Sequence, residues 1–237
     1  MNMKKYFGIG FSVFSLAFMS ACSDSDNDND GVKVGTLNGY ELTVTNLTSN
    51  QPLSPLAVAI HNSNYTAWTI GVEPSLGLEK LAEEGSTTEF LNEAISAGVY
   101  ASVSGEGAIF SGESETLEIE SVKNDEMKLT IASMLINTND AFTGAQSIDL
   151  SCLEVGDELS VLLPVYDAGT EANNELAGTI PGPADSGEGF NVVRDDVNVV
   201  SRHPGVVTDV DGYNDSVLDS SHRFDAPVAK LVLKRTQ

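Results

Sequence analysis

The sequence predicts a mainly β protein, a sandwich or a barrel, with two short helices inserted early. Three observations predict it. Apolar and polar residues alternate with period two in several short runs, as on strands with one buried face. Gly, Asn and Asp punctuate the chain at Lys123-Asn124-Asp125, from Gly182 to Gly189 and from Asp209 to Asp215. Apolar spacing of helical type is found between Leu78 and Ile95, and from there the pattern is mostly β. Many short strands with turn signals between them indicate a sandwich or a barrel.

The first strand is Tyr40 to Asn46, where Tyr40, Leu42 and Val44 alternate with Glu41, Thr43 and Thr45. Gln51 to Pro55 is a proline-containing loop, and Leu56 to His61 is the second strand. Leu78, Leu81 and Ala82 recur at helical spacing and stop at Gly85; Thr87, Phe90, Leu91, Ala94 and Ile95 give a second short helix that stops at Gly98. Further strands are expected at Val99–Ser104, Glu115–Ser121, Met127–Ile136, Leu159–Val165, Phe190–Val200 and Val228–Lys234. With no composition break after residue 37, residues 38–237 read as one domain, long enough for a substantial core.

Residues 1–37 read differently. Lys4 and Lys5 precede a short apolar stretch, Phe7 to Met19, that ends in Met19-Ser20-Ala21-Cys22. Small residues before a cysteine resemble the bacterial lipobox, which implies a signal peptide over 1–21, cleavage before Cys22 and lipid on its thiol. An ordinary signal peptide cut at a small-residue site is the alternative. Residues 22–37 begin with an Asp/Asn-rich run, which reads as a disordered acidic tether. By resemblance to lipoprotein sorting rules, Ser23 suits the outer membrane of a Gram-negative envelope. With Cys22 lipidated, Cys152 has no intrachain partner, and its apolar neighbourhood from Ile148 to Val155 predicts a buried, inert thiol.

The formal charge is −23. Such an acidic chain argues against nucleic acid, which needs Lys and Arg against its phosphates. It favours divalent cations and basic partners, or simply solubility. No His-Glu-x-x-His pair, Cys/His zinc cluster, Gly-x-Ser-x-Gly elbow or phosphate loop occurs, so an enzyme is not expected. His61, His203 and His222 are widely separated in the sequence; His61 reads as a structural strand-end histidine and Trp68 as core.

Two short acidic loops carry the functional signal. Asn137-Thr138-Asn139-Asp140-Ala141-Phe142 follows the apolar run Leu129–Ile136, and Tyr166-Asp167-Ala168-Gly169-Thr170-Glu171 follows Leu159–Val165. Carboxylates on bendable loops suit a hard cation such as calcium, and oxygen-only ligation disfavours zinc. Turn capping by the two aspartates is the plainer reading. These loops, together with His61-Asn-Ser-Asn-Tyr-Thr-Ala-Trp68 and Leu76-Gly-Leu-Glu-Lys-Leu-Ala-Glu-Glu-Gly85, resemble the spondin N-terminal domain of F-spondin, mindin and bacterial lipoproteins. The resemblance covers about Tyr40 to Arg235. It implies an antiparallel β-sandwich of the C2 type and a calcium ion held by Asp140, Asp167 and a glutamate of an earlier strand, Glu118 or alternatively Glu120, with Glu171 as an added ligand. It also implies an adhesive role toward an extracellular protein or glycan, with Cys22 holding the domain to the membrane. A structural envelope component, or a hydrolase using the acidic loops, are the competing functions.

Overall fold

The computed structural model describes residues 36–237. The expected signal peptide, the expected lipidation site Cys22 and nearly all of the expected tether lie outside the described residues. Within them the chain forms β1 (Leu37–Asn46), β2 (Ala57–His61), α1 (Leu76–Glu84), α2 (Thr87–Ser96), β3 (Ala101–Ser104), β4 (Ser114–Val122), β5 (Lys128–Met134), β6 (Ala141–Asp149), β7 (Glu158–Leu163), β8 (Val165–Asp167), β9 (Ser201–Arg202) and β10 (Ala229–Arg235). They build two antiparallel sheets, β4-β1-β10-β7 and β3-β2-β5-β6-β8-β9. This is the mainly β sandwich with two early helices that the sequence predicts.

The main core lies between the sheets, where Tyr40, Leu42 and Val44 of β1 meet Val58, Leu129 and Ile131 of the facing sheet. The four-stranded sheet buries that side alone. Its β4 accordingly alternates, with Leu117 and Ile119 inward and Glu118 and Glu120 exposed. The six-stranded sheet is covered on both sides. On its far face Leu78, Leu81 and Phe90 of the helices pack with Trp68, Phe142 and Tyr166 in a second core. Its β2 is therefore buried at every position, and β5 from Leu129 onward. Strands covered on both faces read as continuous apolar runs rather than alternations.

The helix stops occur where the glycines predict them. Ser75 Oγ accepts the Leu78 N–H at 3.2 Å to open α1. Gly85 closes it at φ 69°, and its N–H returns to Leu81 O. A side chain there would stand 2.6 Å from Ser54 Cβ, so only glycine fits the turn.

Four expectations change. Phe190–Val200 is not a strand: Arg194 and the Asn191 and Asn198 amides tie it to α1 and to Gly169, and Asn198 turns at φ 55°. Its Val192, Val193 and Val197 face solvent, so the apolar pattern reflects no sheet face. Cys152 is exposed, in the turn between β6 and β7, because the chain leaves the sheet at Leu150. The strand β6 is hidden in the sequence by Gly144 and Gln146. Gly144 is required because a Cβ would lie 2.3 Å from Ile131 O. Finally, Leu159–Val165 divides at Pro164, with β7 in one sheet and β8 in the other; Thr143 Oγ1 donates to Pro164 O across the corner at 2.8 Å.

Other expectations agree. Trp68 is buried. His61 is buried at the end of β2 and bonds Thr130 Oγ1 at 2.8 Å. Asp209–Asp215 is a surface turn, opened by one turn of 3-10 helix. Among the described residues no helix is long and apolar enough to cross a membrane.

Candidate metal centre

Asp140 sits at the end of the tight connection from β5 to β6. Thr138 shapes the turn by donating from its hydroxyl to Leu135 O at 2.6 Å and accepting the Ala141 N–H at 3.1 Å. The loop is not open to solvent: Asn137, Thr138, Asn139 and Asp140 are all buried. The segment 170–185 covers it, with Asn139 bonded to Thr179 and Asn137 Oδ1 accepting the Ala184 N–H. Asp140 Oδ2 accepts the amides of Thr170 and Glu171 at 2.8 and 3.1 Å and the Thr170 hydroxyl at 3.2 Å. Asp140 Oδ1 is buried and has no partner.

Asp167 ends β8 beside Ala141, so the two aspartates come from neighbouring strand ends of one sheet. Both of its oxygens are engaged: Oδ1 accepts the Gly169 N–H at 2.7 Å and Oδ2 the Asn173 side-chain amide at 2.6 Å. Asn173 is itself held by His203 at 3.0 Å. Gly169 turns at φ 73°, where a Cβ would meet Val199 O at 2.4 Å, and this lets residues 195–200 lie across the loop. Turn capping is thus present, and together with the Asn173 side-chain amide it accounts for every oxygen of the two aspartates except Asp140 Oδ1.

Glu171 follows the second loop, is buried, and leaves Oε2 without a donor. A fourth acid joins from an unexpected direction. Glu83 of α1 is fully buried; its Oε2 accepts the Asn191 N–H at 2.9 Å and its Oε1 has no partner. The sequence carried a signal for it. Glu79 and Glu83, one turn apart, flank the apolar stripe Leu78-Leu81-Ala82 of α1 and are carried inward with it.

All four carboxyls are raised, first by burial and then by neighbouring carboxylate charge. Burial, then the Asp167 charge, pushes Asp140 above the usual carboxylate range. Glu171 is pushed up to about 9 by burial and by Glu83 and Asp140. Glu83 and Asp167 are also raised, chiefly by burial.

The β4 glutamates do not join them. Glu118 and Glu120 lie on the solvent face of the other sheet, and Glu118 stands opposite Glu41. Their strand buries Leu117 and Ile119 against the main core, which turns the glutamates away from the six-stranded sheet. The structure thus brings together Asp140, Asp167 and Glu171 of the expected set, and adds Glu83.

Among the described residues no three Asp, Glu, His or Cys side chains enclose a single point as packed. One buried carboxylate oxygen each of Glu83, Asp140 and Glu171 has no hydrogen-bond partner in the structure, and oxygen is the donor type that a hard cation takes. Residues 45–177, more than half of the chain, match the family model described as Spondin_N, and both acidic loops fall inside that span. No curated protein shows a match to the chain. The chain belongs to the spondin N-terminal domain family.

Proposed function

We propose that this protein is a cell-envelope lipoprotein, anchored through Cys22 in the outer membrane, whose spondin-type domain binds calcium and uses the loops above the ion to hold an extracellular protein or glycan. The observation that carries the metal reading is the buried, partnerless Oδ1 of Asp140 amid like charges. An unmet carboxylate oxygen in such surroundings requires either a proton or a cation. Asp140, Asp167 and Glu171 would hold the ion, and the ion would supply the positive charge that the cluster lacks. The adhesive reading is supported by the family and by the loop across the site, which presents Val192, Val193 and Val197 to solvent at 80, 62 and 69% exposure. Loops on a rigid sandwich commonly carry binding.

A second reading is favoured by the depth of the cluster. Asp140 lies beneath two chain segments, as expected of an ion that only stabilises the fold in a structural envelope protein. The test is the melting temperature of the metal-stripped chain across a calcium titration, with magnesium as control. At a hundredfold excess over Kd, selective binding stabilises by about 2.7 kcal/mol, which is roughly 5–10 °C in a chain of this size. Asp140→Ala and Asp167→Ala should each abolish the rise. An unresponsive parent, or variants that respond like it, would reduce the aspartates to turn caps. A calcium-dependent pull-down of a protein or glycan separates the adhesive reading from the structural one.

A further inference from the structure

We infer that the loop 192–197 and the turn 70–76 before α1 form one docking face, and that its occupant is a segment of an extracellular protein carrying apolar side chains among lysines or arginines. The inference rests on the adhesive reading and names its partner class, protein rather than glycan. Six apolar side chains stand exposed on these two stretches: Ile70, Val72, Leu76, Val192, Val193 and Val197. Hydrogen bonds hold the stretches side by side. The Gly71 N–H donates to Val200 O at 2.8 Å, and the Val200 N–H to Val72 O at 2.9 Å. Glu73, next to Val72, accepts from the side-chain amide of Asn198, next to Val197, at 3.0 Å. Arg194, next to Val193, donates to Glu73 at 2.7 Å and to Pro74 O at 3.4 Å. Apolar side chains gathered in this way and rimmed by polar ones mark a binding surface.

The loop is tied down at both ends. Arg194 grips Glu79 of α1 with two nitrogens, at 2.8 and 2.6 Å, and Asn198 at 2.7 Å, so all five of its N–H donors are engaged. The Asn191 N–H donates to buried Glu83 at 2.9 Å. Valine has few side-chain rotamers, so a partner meets apolar area that costs little to order. The charge of the face selects the partner. Arg194 is the one lysine or arginine within 70–76 and 188–198, and it is spent on Glu73 and Glu79. Glu73, Asp195 and Asp196 bring negative charge to the same stretches, and Glu84 lies against Gly189. Potentials across an interface are complementary, so the face fits a cationic segment. A second copy would bring the same acids and a net charge of −23, and anionic lipid headgroups would be repelled likewise. Glycan hydroxyls would meet aliphatic side chains that offer them no hydrogen bond.

The experiment titrates the full chain, by calorimetry at physiological salt, with a synthetic peptide of alternating lysine and leucine; peptides of lysine alone and of alternating glutamate and leucine are the controls. The lysine–leucine peptide should bind about tenfold tighter than either control, and Val193→Ser combined with Val197→Ser should remove that advantage. Val122→Ser and Leu162→Ser, exposed on the four-stranded sheet, should stay within about twofold of the parent. Asp196→Asn should weaken binding about threefold and flatten its salt dependence. Equal binding of the lysine-only peptide would reduce the contact to charge and overturn the inference, as would valine variants that bind like the parent. Sedimentation in which the parent self-associates and the valine variants do not would overturn it too, giving the face to a second copy. A parent that ignores the lysine–leucine peptide overturns the inference but leaves the adhesive reading standing if a calcium-dependent pull-down recovers a glycan; failure of that capture as well defeats both.

Discussion

The outer faces of the two sheets carry acids in opposite media. On the four-stranded sheet, Glu118, Glu41, Lys234 and Glu158 line up across β4, β1, β10 and β7 in register. Only Lys234 and Glu158 approach, at 3.8 Å, and water screens the row. On the six-stranded sheet the helices and the 170–200 segments exclude water, and Glu83, Asp140, Asp167 and Glu171 are buried together. The same chemical group is a solubility feature on one face and a candidate ligand on the other. What separates them is the second layer of packing, not the position of the acid in its strand.

The second layer should therefore dominate any attempt to break the comparison. Phe142 is fully buried, edge-on to Trp68 at 5.2 Å and stacked on Tyr166 at 5.1 Å between their ring centres. Phe142→Ala should cost about 3–5 kcal/mol, for lost transfer energy and the cavity left behind. On the open face, Thr43 meets Thr116 across β1 and β4 at 2.9 Å. Thr43→Ala should cost less than about 1 kcal/mol. Chemical denaturation of both variants decides the matter, and equal losses would mean that the helical layer contributes nothing the open face lacks.

A pH series sharpens the contrast next. Glu171, Asp140, Asp167 and Glu83 are all raised, first by burial, Glu171 to about 9. A raised carboxyl binds its proton more tightly folded than unfolded, so its stabilising contribution is complete below the unfolded pKa and is lost as pH rises through the folded one. His203 acts in the opposite sense: burial lowers it to about 4, so its contribution is lost as pH falls through the window below about 6.5. The melting temperature of the metal-stripped chain should thus decline between about pH 6.5 and 9, and calcium should flatten that decline. A profile equally flat with and without calcium would show that the cluster is not the alkaline weak point.

Much of this division was readable beforehand, and the failures share a cause. The period-two alternation of β1 and β4 is the pattern of a sheet with one wet face, and both strands were evident from it. The helix stops at Gly85 and Gly98 were equally plain. By contrast, β6 is covered on both sides near its start and needs a bare Cα at Gly144, so neither alternation nor β-propensity marks it. The valines of 190–200 mimic a strand, yet the segment is held by Arg194, Asn191 and Asn198 through contacts distant in sequence. At the candidate site, Asp140, Asp167 and Glu171 were legible because loop residues close to one another in sequence place them. Glu83 was legible only as an acid beside the apolar stripe of α1, because its approach to the loops depends on how α1 docks against the sheet, which is tertiary information. The β4 glutamate fails for the same reason: alternation fixes which way it faces relative to Leu117, but not which sheet its strand joins.

The smallest effect is also the most discriminating for that glutamate. Glu118 stands directly opposite Glu41 on the wet face, and like charges so placed repel. Glu118→Gln should change stability by no more than about 0.5 kcal/mol, in the stabilising direction. The gain should be visible in urea denaturation at low salt and should fade as the screening length shortens. Glu41→Gln should gain less, because Glu41 also stands opposite Lys234, and in that background Glu118→Gln should add little, since either change removes the one repulsion. A loss of stability that appears only in the presence of calcium would instead place Glu118 at an ion, and would require β4 to turn its solvent face toward the acidic loops.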